Sequence, residues 1–222
     1  MLDRLRPFVR LDEAEQLVNE PGTATGLVGR VTPRGGYVLV YMMLGYARDY
    51  GSCGGLSAHN GDSERVALEL ELLDETGGDA VVQQAYTAAH EGTVNDHGMV
   101  FGAGDLTTLV HEADPSFGQP RWVVFSSANK HATYASVAIC EGISPLPCLD
   151  EDCDPDGVAD PSPFTRLFPF ANAGEPTAPL LGDLSGLGFP GEDAWLDQDF
   201  CGGLGGSGCA SSVLEKLTVD PF

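Results

Sequence analysis

The sequence predicts a mainly β protein, a single-domain β-sandwich with long loops and a few short helices. Glycine and proline account for 29 and 15 of the 222 residues, and they divide the chain into short runs separated by turns. Between residues 66 and 72, apolar residues alternate strictly with alanine or glutamate, which is the pattern of a strand with one buried face. The longest apolar run, residues 37–46, is too short to span a bilayer and is typical of a central strand.

The elements follow one another along one domain that covers residues 1–222. We expect a helical lead-in at 1–22, because "LDEAEQLVNEPG" places acidic residues in a first helical turn and ends in Pro-Gly. A β core at 23–139 follows, with strands expected at 25–31, 36–44, 64–73, 80–89, 121–126 and 133–139. Residues 140–210 are rich in Pro, Gly, Asp and Cys, so we expect long loops that wrap the core under disulfide and metal restraint. A short final helix is expected at 211–217.

The net charge is -22, and it is unevenly distributed. Residues 1–48 contain six arginines and five acidic residues, whereas residues 49–222 contain five basic and 28 acidic residues. Lysine occurs only at Lys130 and Lys216. Such a surface repels nucleic acid and attracts cations, so nucleic acid is excluded as a partner. The charge fits an adaptation for solubility or salt tolerance, a Ca²⁺-loaded extracellular protein, or both.

The cysteines predict disulfide bonds and therefore an oxidising compartment. Their number is even and they form no CxxC pair, which argues against a zinc ribbon or a thioredoxin-like motif. Close spacing favours one bond between Cys201 and Cys209, and another between two of Cys140, Cys148 and Cys153. The six candidates are Cys53, Cys140, Cys148, Cys153, Cys201 and Cys209.

We expect a secreted or cell-surface protein without a transmembrane segment. Residues 1–16 lack the apolar region of a signal peptide, so no such peptide is visible in this chain.

The leading candidate site is the motif H-x-x-D-x-E, formed by His59, Asp62 and Glu64. Alternation along the strand places Asp62 and Glu64 on the buried face, and two unpaired buried carboxylates are too costly unless something neutralises them. Asn60 and Gly61 form a turn dipeptide that would fold His59 back over the start of the strand. An imidazole and two carboxylates predict a hard-cation site for Ca²⁺, Mg²⁺ or Mn²⁺, completed by water.

Two further readings of this motif stay open. Asp49 lies just upstream and is a candidate for another oxygen ligand. Alternatively, Asp62 pairs with an arginine and His59 is a surface residue.

The motif resembles the heptapeptide Gly-His-Arg-His-Asp-Trp-Glu of the necrosis- and ethylene-inducing-peptide-like proteins, which are secreted cytolysins of plant-associated microbes. That resemblance implies a β-sandwich in which His59, Asp62 and Glu64 hold a divalent cation. Ser63 stands where those proteins have tryptophan, so the resemblance implies the cation site rather than toxin activity.

Separate blocks in matching order also resemble the vacuolar-protein-sorting-62-like group. These blocks are "HNGDSE", "YTAAHEG" with His90, "NKHATYAS" with Lys130 and His131, "NAGE" and "DFCGG". If His90 and His131 gather near His59, the site combines a metal, two bases and an ammonium group. Those are the parts of metal-assisted hydrolysis, in which a histidine takes a proton from metal-bound water and Lys130 steadies negative charge. The alternative is that both histidines are hydrogen-bonded framework residues.

A second cation site is predicted in "CLDEDCDPDGVAD". Asp152, Asp154 and Asp156 precede a glycine in the spacing D-x-D-x-D-G, and Asp160 occupies the ninth position. Pro163 stands at the twelfth position, where an EF-hand has glutamate. We therefore expect an isolated structural Ca²⁺ loop, or else a solvated acidic loop.

Three functions remain from the sequence. The first, which the resemblance favours, is cation-dependent binding of a glycan or lipid headgroup. The second is a metal-dependent hydrolase that uses His90 or His131 as its base. The third is a structural surface or matrix protein in which cations and disulfides provide rigidity. Self-association is compatible with all three.

Overall fold

The structure is a computed structural model that describes residues 5–12, 24–51, 55, 58–74, 79–92, 96–114, 118–142, 151–154, 158–159, 171–172, 216–217 and 219–222. Within these ranges most residues belong to strands arranged in two sheets, and the mainly β fold class is confirmed. The strands are β1 (Phe8–Leu11), β2 (Ala24–Arg34), β3 (Tyr37–Asp49), β4 (His59–Leu72), β5 (Ala80–Thr87), β6 (Met99–Gly102), β7 (His111–Asp114), β8 (Gln119–Ser126), β9 (Thr133–Tyr134), β10 (Val158–Ala159) and β11 (Ala171–Asn172). The helices are a 3-10 turn at Leu106–Thr108 and α1 (Val137–Glu141).

The larger sheet has the order β11-β2-β3-β4-β5-β6. Strands β2 to β6 are antiparallel to their neighbours, whereas β11 runs parallel to β2. The longest pairing joins β3 to β4 and extends from Tyr37 opposite Glu71 to Asp49 opposite His59. This pairing determines which residues of both strands face inward.

The smaller sheet has the order β10-β1-β8-β7, with β9 also paired to β8. Strand β1 runs parallel to β8, while β7 and β9 are antiparallel to it. Inward-facing residues of this sheet pack with those of the larger one, because alternation along each strand aims every second side chain at the opposite sheet. The core they form contains Val9, Leu11, Val40, Met42, Leu44, Tyr46, Val66, Leu68, Leu70, Ala85, Trp122 and Val124.

The helical lead-in predicted for residues 1–22 is wrong at residues 8–11, where the structure can be compared with it. Residues 8–11, expected in a helical lead-in, form β1 instead. Phe8, Val9 and Leu11 are buried, and pairing with β8 satisfies the backbone of this segment. A segment of four residues is too short for its apolar periodicity to predict a strand or its distant pairing partner. Residues 13–23 lie outside the described part of the chain.

Two local predictions are also wrong. The strand expected at 133–139 ends after Tyr134, and Ser136 begins α1 by accepting a hydrogen bond from the Ile139 backbone at 3.3 Å. Asn60 and Gly61, expected in a turn, lie within β4, where Asn60 pairs with Arg48. Cross-strand pairing outweighs the turn preference of this dipeptide. The predicted loop region also contributes two short strands, β10 and β11.

One disulfide is described, and it joins Cys140 to Cys153. This confirms the expected bond between two of the three closely spaced cysteines. Cys53, Cys148, Cys201 and Cys209 lie outside the described residues, as does most of the final helix expected at 211–217. Among the helices that can be described, none is long and apolar enough to cross a membrane.

The outer face of the larger sheet is covered in part by the C-terminal residues. Arg65 is fully buried there, and its guanidinium donates to the carbonyl oxygens of Lys216 and Val219 at 3.1 and 2.7 Å. It also forms an ion pair with Glu91. Arg30 adds a hydrogen bond to the carbonyl of Leu217 at 3.3 Å. Buried arginines therefore attach the end of the chain to the sheet.

We expect Arg65→Met to destabilise the fold by about 3–5 kcal/mol, because it leaves Glu91 and two carbonyl groups without their buried partner. Urea unfolding measures the loss, and hydrogen exchange should show faster exchange at residues 219–222. Arg10→Met is the matched control. Its ion pair with Glu112 is more exposed, so its cost should stay near or below about 1 kcal/mol. Equal effects of the two substitutions would contradict this role for Arg65.

Candidate functional site

The buried carboxylate Asp62 links the two sheets at one end of the sandwich. It lies on β4 opposite Tyr46 of β3, and its Oδ2 is 3.1 Å from Nδ1 of His131. Its other oxygen accepts the Ser63 backbone N–H at 2.7 Å. The His131 ring stacks on Tyr46 with centroids 3.9 Å apart, and the Tyr46 hydroxyl donates to Ser126 of β8 at 3.2 Å. Asp62 therefore has an imidazole as a buried side-chain partner.

Glu64 is the second inward-facing carboxyl group of β4. Its side chain is only 5% exposed, and its Oε2 lies 3.8 Å from Nζ of Lys216 without a hydrogen bond. Burial raises the pKa of Glu64 to about 8; Lys216 acts in the opposite direction, and the charge of Asp62 raises the pKa further. This group is held by one distant ammonium group and carries an oxygen with no hydrogen-bond partner.

Glu151 forms the third buried acidic position. Its Oε1 is 2.9 Å from Nε2 of His90 and accepts a hydrogen bond from Nζ of Lys130 at 3.0 Å. Burial alone would raise the pKa of Glu151, but the hydrogen bond and charge of His90, helped by Ser127 and Lys130, lower it to about 2. Burial alone would lower the pKa of His90, and Glu151 outweighs this effect and raises it. The pair is therefore charged at weakly acidic pH.

These interactions define a group of side chains that we call the charged cluster. Its members come from β4, the residues after β5, the turn between β8 and β9, the segment just before Cys153 inside the disulfide loop, and the C-terminal residues. They are Asp62, Glu64, His90, Lys130, His131, Glu151 and Lys216.

Backbone hydrogen bonds bring these segments together. Ala88 donates to the carbonyl of Arg65 at 2.8 Å and accepts from Thr133 at 2.9 Å, so the residues after β5 join β4 to β9. The turn after β8 is fixed by Ala128, whose N–H donates to the carbonyl of Asp152 at 2.9 Å. That bond places Glu151 beside Lys130.

Unusual backbone conformation concentrates at the same place. Among the described non-glycine residues, the positive φ angles belong to His90, Asn129 and His131, at 55°, 64° and 60°. Such angles cost free energy in residues with a Cβ, and they persist where surrounding contacts impose them. Two of the three carry side chains of the charged cluster, which indicates that the fold is strained to position these imidazoles.

Tyr134 borders the cluster. Its hydroxyl is buried and makes no hydrogen bond, and burial raises its pKa, with further contributions from the charges of Glu151 and Glu64. The Oε2 atom of Glu151 is likewise buried without a hydrogen bond. Unsatisfied polar atoms are rare in native interiors, so these two atoms and Oε2 of Glu64 mark the charged cluster as a place that a ligand, ion or water can fill.

The structure brings together five residues singled out in the sequence: Asp62, Glu64, His90, Lys130 and His131. It adds Glu151 and Lys216, which the sequence reasoning missed as site residues. The scarcity of lysine was a usable signal for Lys216, since both lysines of the chain reach buried carboxylates. Glu151 lies in an acidic run whose pattern does not distinguish it.

The remaining predicted ligands either do not join the charged cluster or have side chains outside the described part of the chain. The backbone of His59 begins β4 opposite Asp49, and nothing is described of the His59 side chain. The Asp49 carboxylate accepts the Gly51 backbone N–H, and strand alternation puts Asp49 on the other face from Tyr46. Of the predicted Ca²⁺ loop, Asp152 and Asp154 are described. Asp156 and Asp160 fall outside the described ranges, and that loop stays a prediction.

No group of three or more His, Cys, Asp and Glu side chains in the described ranges converges in a metal-binding arrangement. Asp62 and Glu64 do present two carboxyl groups from one face of β4, and Glu64 retains the buried, unpartnered oxygen. These two residues fit a hard cation that completes its shell with water or with a ligand outside the described set.

The ion pair between Glu151 and His90 should make stability depend on pH. The lowered pKa of Glu151 contributes stability above about pH 4.5, which is lost as the pH falls towards about 2. The raised pKa of His90 contributes below about pH 6.5 and is lost as the pH rises through its folded value. This ion pair should therefore stabilise the fold most between about pH 4.5 and 6.5, and the raised pKa of Glu64 should add a separate loss of stability as the pH rises towards about 8.

Urea unfolding from pH 3 to 8 measures this profile. Glu151→Gln should remove the loss of stability towards acid pH and cost up to about 3 kcal/mol near pH 5.5, because the pKa of Glu151 falls from 4.5 to about 2 in the folded protein. The decline that Glu64 causes towards pH 8 should remain. Glu112→Gln, in a more exposed ion pair, is the control and should change little. A Glu151→Gln profile parallel to that of the wild type would disprove the assignment.

No protein-family model and no curated protein matches this chain. Three solved structures show low similarity. A non-toxic protein, HaNLP3, is 13% identical, with a TM-score of 0.39 over 60% of this chain and 66% of that chain. NLPPya in complex with glucosamine is 11% identical, with a TM-score of 0.40 over 60% and 65%. Necrosis and Ethylene inducing Protein 2 from the causal agent of cocoa's Witches Broom disease is 12% identical, with a TM-score of 0.37 over 61% and 66%.

This chain therefore spans just under two thirds of the length of each of these structures. The name of one of them is that of the necrosis- and ethylene-inducing proteins, whose heptapeptide the H-x-x-D-x-E motif resembles. At these TM-scores the similarity assigns neither a ligand nor an activity to this chain. The resemblance to the vacuolar-protein-sorting-62-like group has no counterpart among the three and stays a prediction.

Proposed function

We propose that the charged cluster binds a divalent cation through Asp62 and Glu64 and, with it, the sugar of a glycan headgroup. The observation that carries the proposal is Glu64, a buried carboxyl group whose Oε2 makes no hydrogen bond and whose nearest cation is an ammonium group 3.8 Å away.

The physical reason for a cation is the cost of this arrangement. A buried carboxylate needs either strong hydrogen bonds or close positive charge. Asp62 accepts a hydrogen bond from Ser63 and lies 3.1 Å from Nδ1 of His131, whereas among the described residues Glu64 has the ammonium group of Lys216 as its ion-pair partner. Burial raises the pKa of Glu64 to about 8, so without a cation this carboxyl group is protonated at neutral pH, and a divalent ion would displace the proton. A divalent ion between the two carboxyl groups would supply the missing charge, with oxygen ligands of the kind that Ca²⁺ and Mg²⁺ prefer.

The sugar is argued from the polar groups at the accessible side of the cluster. The side chains of His90, Lys130 and Asp62 are 22%, 13% and 12% exposed, so each can reach a ligand at the surface. Sugar hydroxyl groups donate and accept hydrogen bonds, and they also coordinate Ca²⁺. The net charge of -22 favours a neutral or positively charged sugar, such as glucosamine, over an anionic one.

The geometry supports hydrolysis less well. A general base must reach its proton directly or through one water. His131 is fully buried and bonded to Asp62, and the pKa of His90 is raised by its bond to Glu151. Neither imidazole is a free base at the surface, so His90 and Lys130 are better assigned to binding, and His131 is better assigned to holding Asp62. A purely structural role predicts no sugar binding and is distinguished by the experiments that follow.

We expect wild-type protein to bind about one Ca²⁺ or Mg²⁺ by isothermal titration, and Asp62→Asn with Glu64→Gln to lose it. A cation at a hundred times its Kd should raise the free energy of unfolding of the wild type by about 2.7 kcal/mol, and EDTA should reverse the gain. The matched control is Glu69→Gln with Glu71→Gln, which removes two carboxylates of the same strand and spacing from the opposite face. His59→Ala tests whether that residue is a further ligand. If the double variant Asp62→Asn with Glu64→Gln retains the cation, the proposal is wrong.

Lys216→Met should raise cation affinity about tenfold or more, because it removes the ammonium group that faces Glu64. Lys130→Met is the control, because it removes the chain's other lysine, whose ammonium group faces Glu151 rather than Glu64. This substitution should leave cation affinity nearly unchanged. A fall in affinity in Lys216→Met, in a variant that remains folded by circular dichroism, would mean that the ammonium group does not compete with the ion.

Sugar binding is tested with glucosamine and neutral monosaccharides in saturating Ca²⁺ and in EDTA. Binding should require Ca²⁺ and should weaken in Lys130→Met, which loses a surface donor but keeps the cation. If the cation binds and no sugar does, the cation site is structural and the glycan part of the proposal is wrong.

A further inference from the structure

We propose that residues 216–217 and 219–222, which we call the C-terminal strap, close the cation site of the charged cluster and are released from the larger sheet when a cation binds. This inference rests on the proposed function, because it assigns a regulatory element to the same site. Lys216 connects the two, since its side chain reaches Glu64 while its backbone is bound by Arg65 on the opposite face of the sheet.

Lys216 places a positive charge where the cation is proposed to bind. Its Nζ lies 3.8 Å from Oε2 of Glu64, and its side chain is only 7% exposed. A divalent ion bound by Glu64 would repel this ammonium group, and a buried ammonium group without a counter-charge is costly. The bound cation and the buried ammonium group therefore exclude each other.

The backbone of the strap is fixed to the outer face of the larger sheet. Arg65 of β4 donates a hydrogen bond to the carbonyl of Lys216 at 3.1 Å, and Arg30 of β2 donates to the carbonyl of Leu217 at 3.3 Å. Lys216 and Leu217 are both buried, so the ammonium group cannot turn into water while these bonds hold the backbone in place. Displacement of the ammonium group therefore requires release of the strap.

The far end of the strap is held by contacts nearer the surface. Arg34 forms an ion pair with Asp220 at 3.0 Å, and its guanidinium carbon lies 6.0 Å from the centre of the Phe222 ring. The side chains of Arg34 and Asp220 are more than one third exposed, and exposed ion pairs contribute little free energy. The hydrogen bonds from the buried arginines therefore determine whether the strap stays closed.

This competition links cation binding to every contact that holds the strap, because such coupling is reciprocal. If the site binds a cation only after release, the observed affinity equals the intrinsic affinity multiplied by the released fraction. A contact that keeps the strap closed then lowers cation affinity, even when it lies on the other face of the sheet.

Arg30 is a contact of this kind, far from the cation. It pairs with Tyr41 of β3, which pairs with Ala67 of β4, three residues from Glu64. Strand spacing of about 4.8 Å and a rise of about 3.4 Å per residue separate Arg30 from Glu64 by roughly 14 Å. That distance exceeds the screening length of about 8 Å at 0.15 M salt, so the charge of Arg30 has little direct effect on a cation at Glu64.

The first experiment is hydrogen exchange of the full-length protein, measured by mass spectrometry in saturating Ca²⁺ and in EDTA. Ca²⁺ should speed exchange about tenfold in peptides that cover the strap, whereas residues 99–102 of β6 should exchange no faster. Isothermal titration shows separately whether Ca²⁺ is bound. If Ca²⁺ binds and exchange in the strap does not change, this inference is wrong and the proposed function stands; if no Ca²⁺ binds, both are wrong.

The two lysines of the chain provide a second measurement on the same protein. Lysine labelled with ¹³C at Cε gives two side-chain signals, and Lys130→Met assigns them. Ca²⁺ should move the Lys216 signal to the position of free lysine and sharpen it, because the ammonium group enters water. A Lys216 signal that stays broad and shifted in Ca²⁺-bound protein would contradict the release.

A variant pair tests the strap without altering the charged cluster. Arg30→Met should raise Ca²⁺ affinity about tenfold, because loss of one hydrogen bond from a charged donor increases the released fraction. The matched control is Arg121→Met, which removes a buried arginine whose ion pair with Asp114 lies in the smaller sheet, and it should leave the affinity unchanged. Equal Ca²⁺ affinity of the wild type and folded Arg30→Met would overturn the inference. If Arg30→Met does not fold, hydrogen exchange and the lysine signals of the wild type decide the question.

Discussion

The pairing of β3 with β4 is the constraint on which the rest of the structure depends. Its register determines which side chains of both strands face the smaller sheet. A slip of one residue would turn Leu68 and Leu70 outward and carry Asp62 and Glu64 with them. Because the core leucines cannot be exposed cheaply, the two carboxyl groups are held inside by residues several positions away. The charged end of the sandwich is thus a consequence of its apolar middle.

Everything around those carboxyl groups can be understood as a response to their burial. Separate parts of the chain supply positive or hydrogen-bonding groups: His131 from a turn, Lys216 from the C-terminal residues and Ser63 from the strand itself. These stabilising contacts are unequal: Glu64 has an ammonium group 3.8 Å away and no hydrogen bond to its Oε2, whereas both oxygens of Asp62 have close partners. The strained backbone at His90 and His131 shows that the fold tolerates local cost in order to hold imidazoles here.

The sequence was most informative where the two-residue alternation of a strand determines which side chains are buried. Alternation along residues 62–72 correctly predicted the buried face and therefore the need to neutralise two acids. It could not identify what does so, because His131 and Lys216 arrive from distant positions that no local pattern connects to β4. The same limit explains β1, whose four residues become a strand only by pairing with β8. Asn60 and Gly61 show the opposite error, since a strong local turn preference yields to pairing with β3.

The scarcity of lysine has a consequence for chemical labelling. An amine-selective acylating reagent finds two lysine side chains in the whole protein, and both are largely buried in ion pairs of the charged cluster. Because such reagents attack the neutral amine, each ion pair slows the reaction at its own lysine. The rate at which the protein gains side-chain acyl groups therefore reports the opening of this one region. In this chain, a conventional amine label therefore becomes a local probe of dynamics.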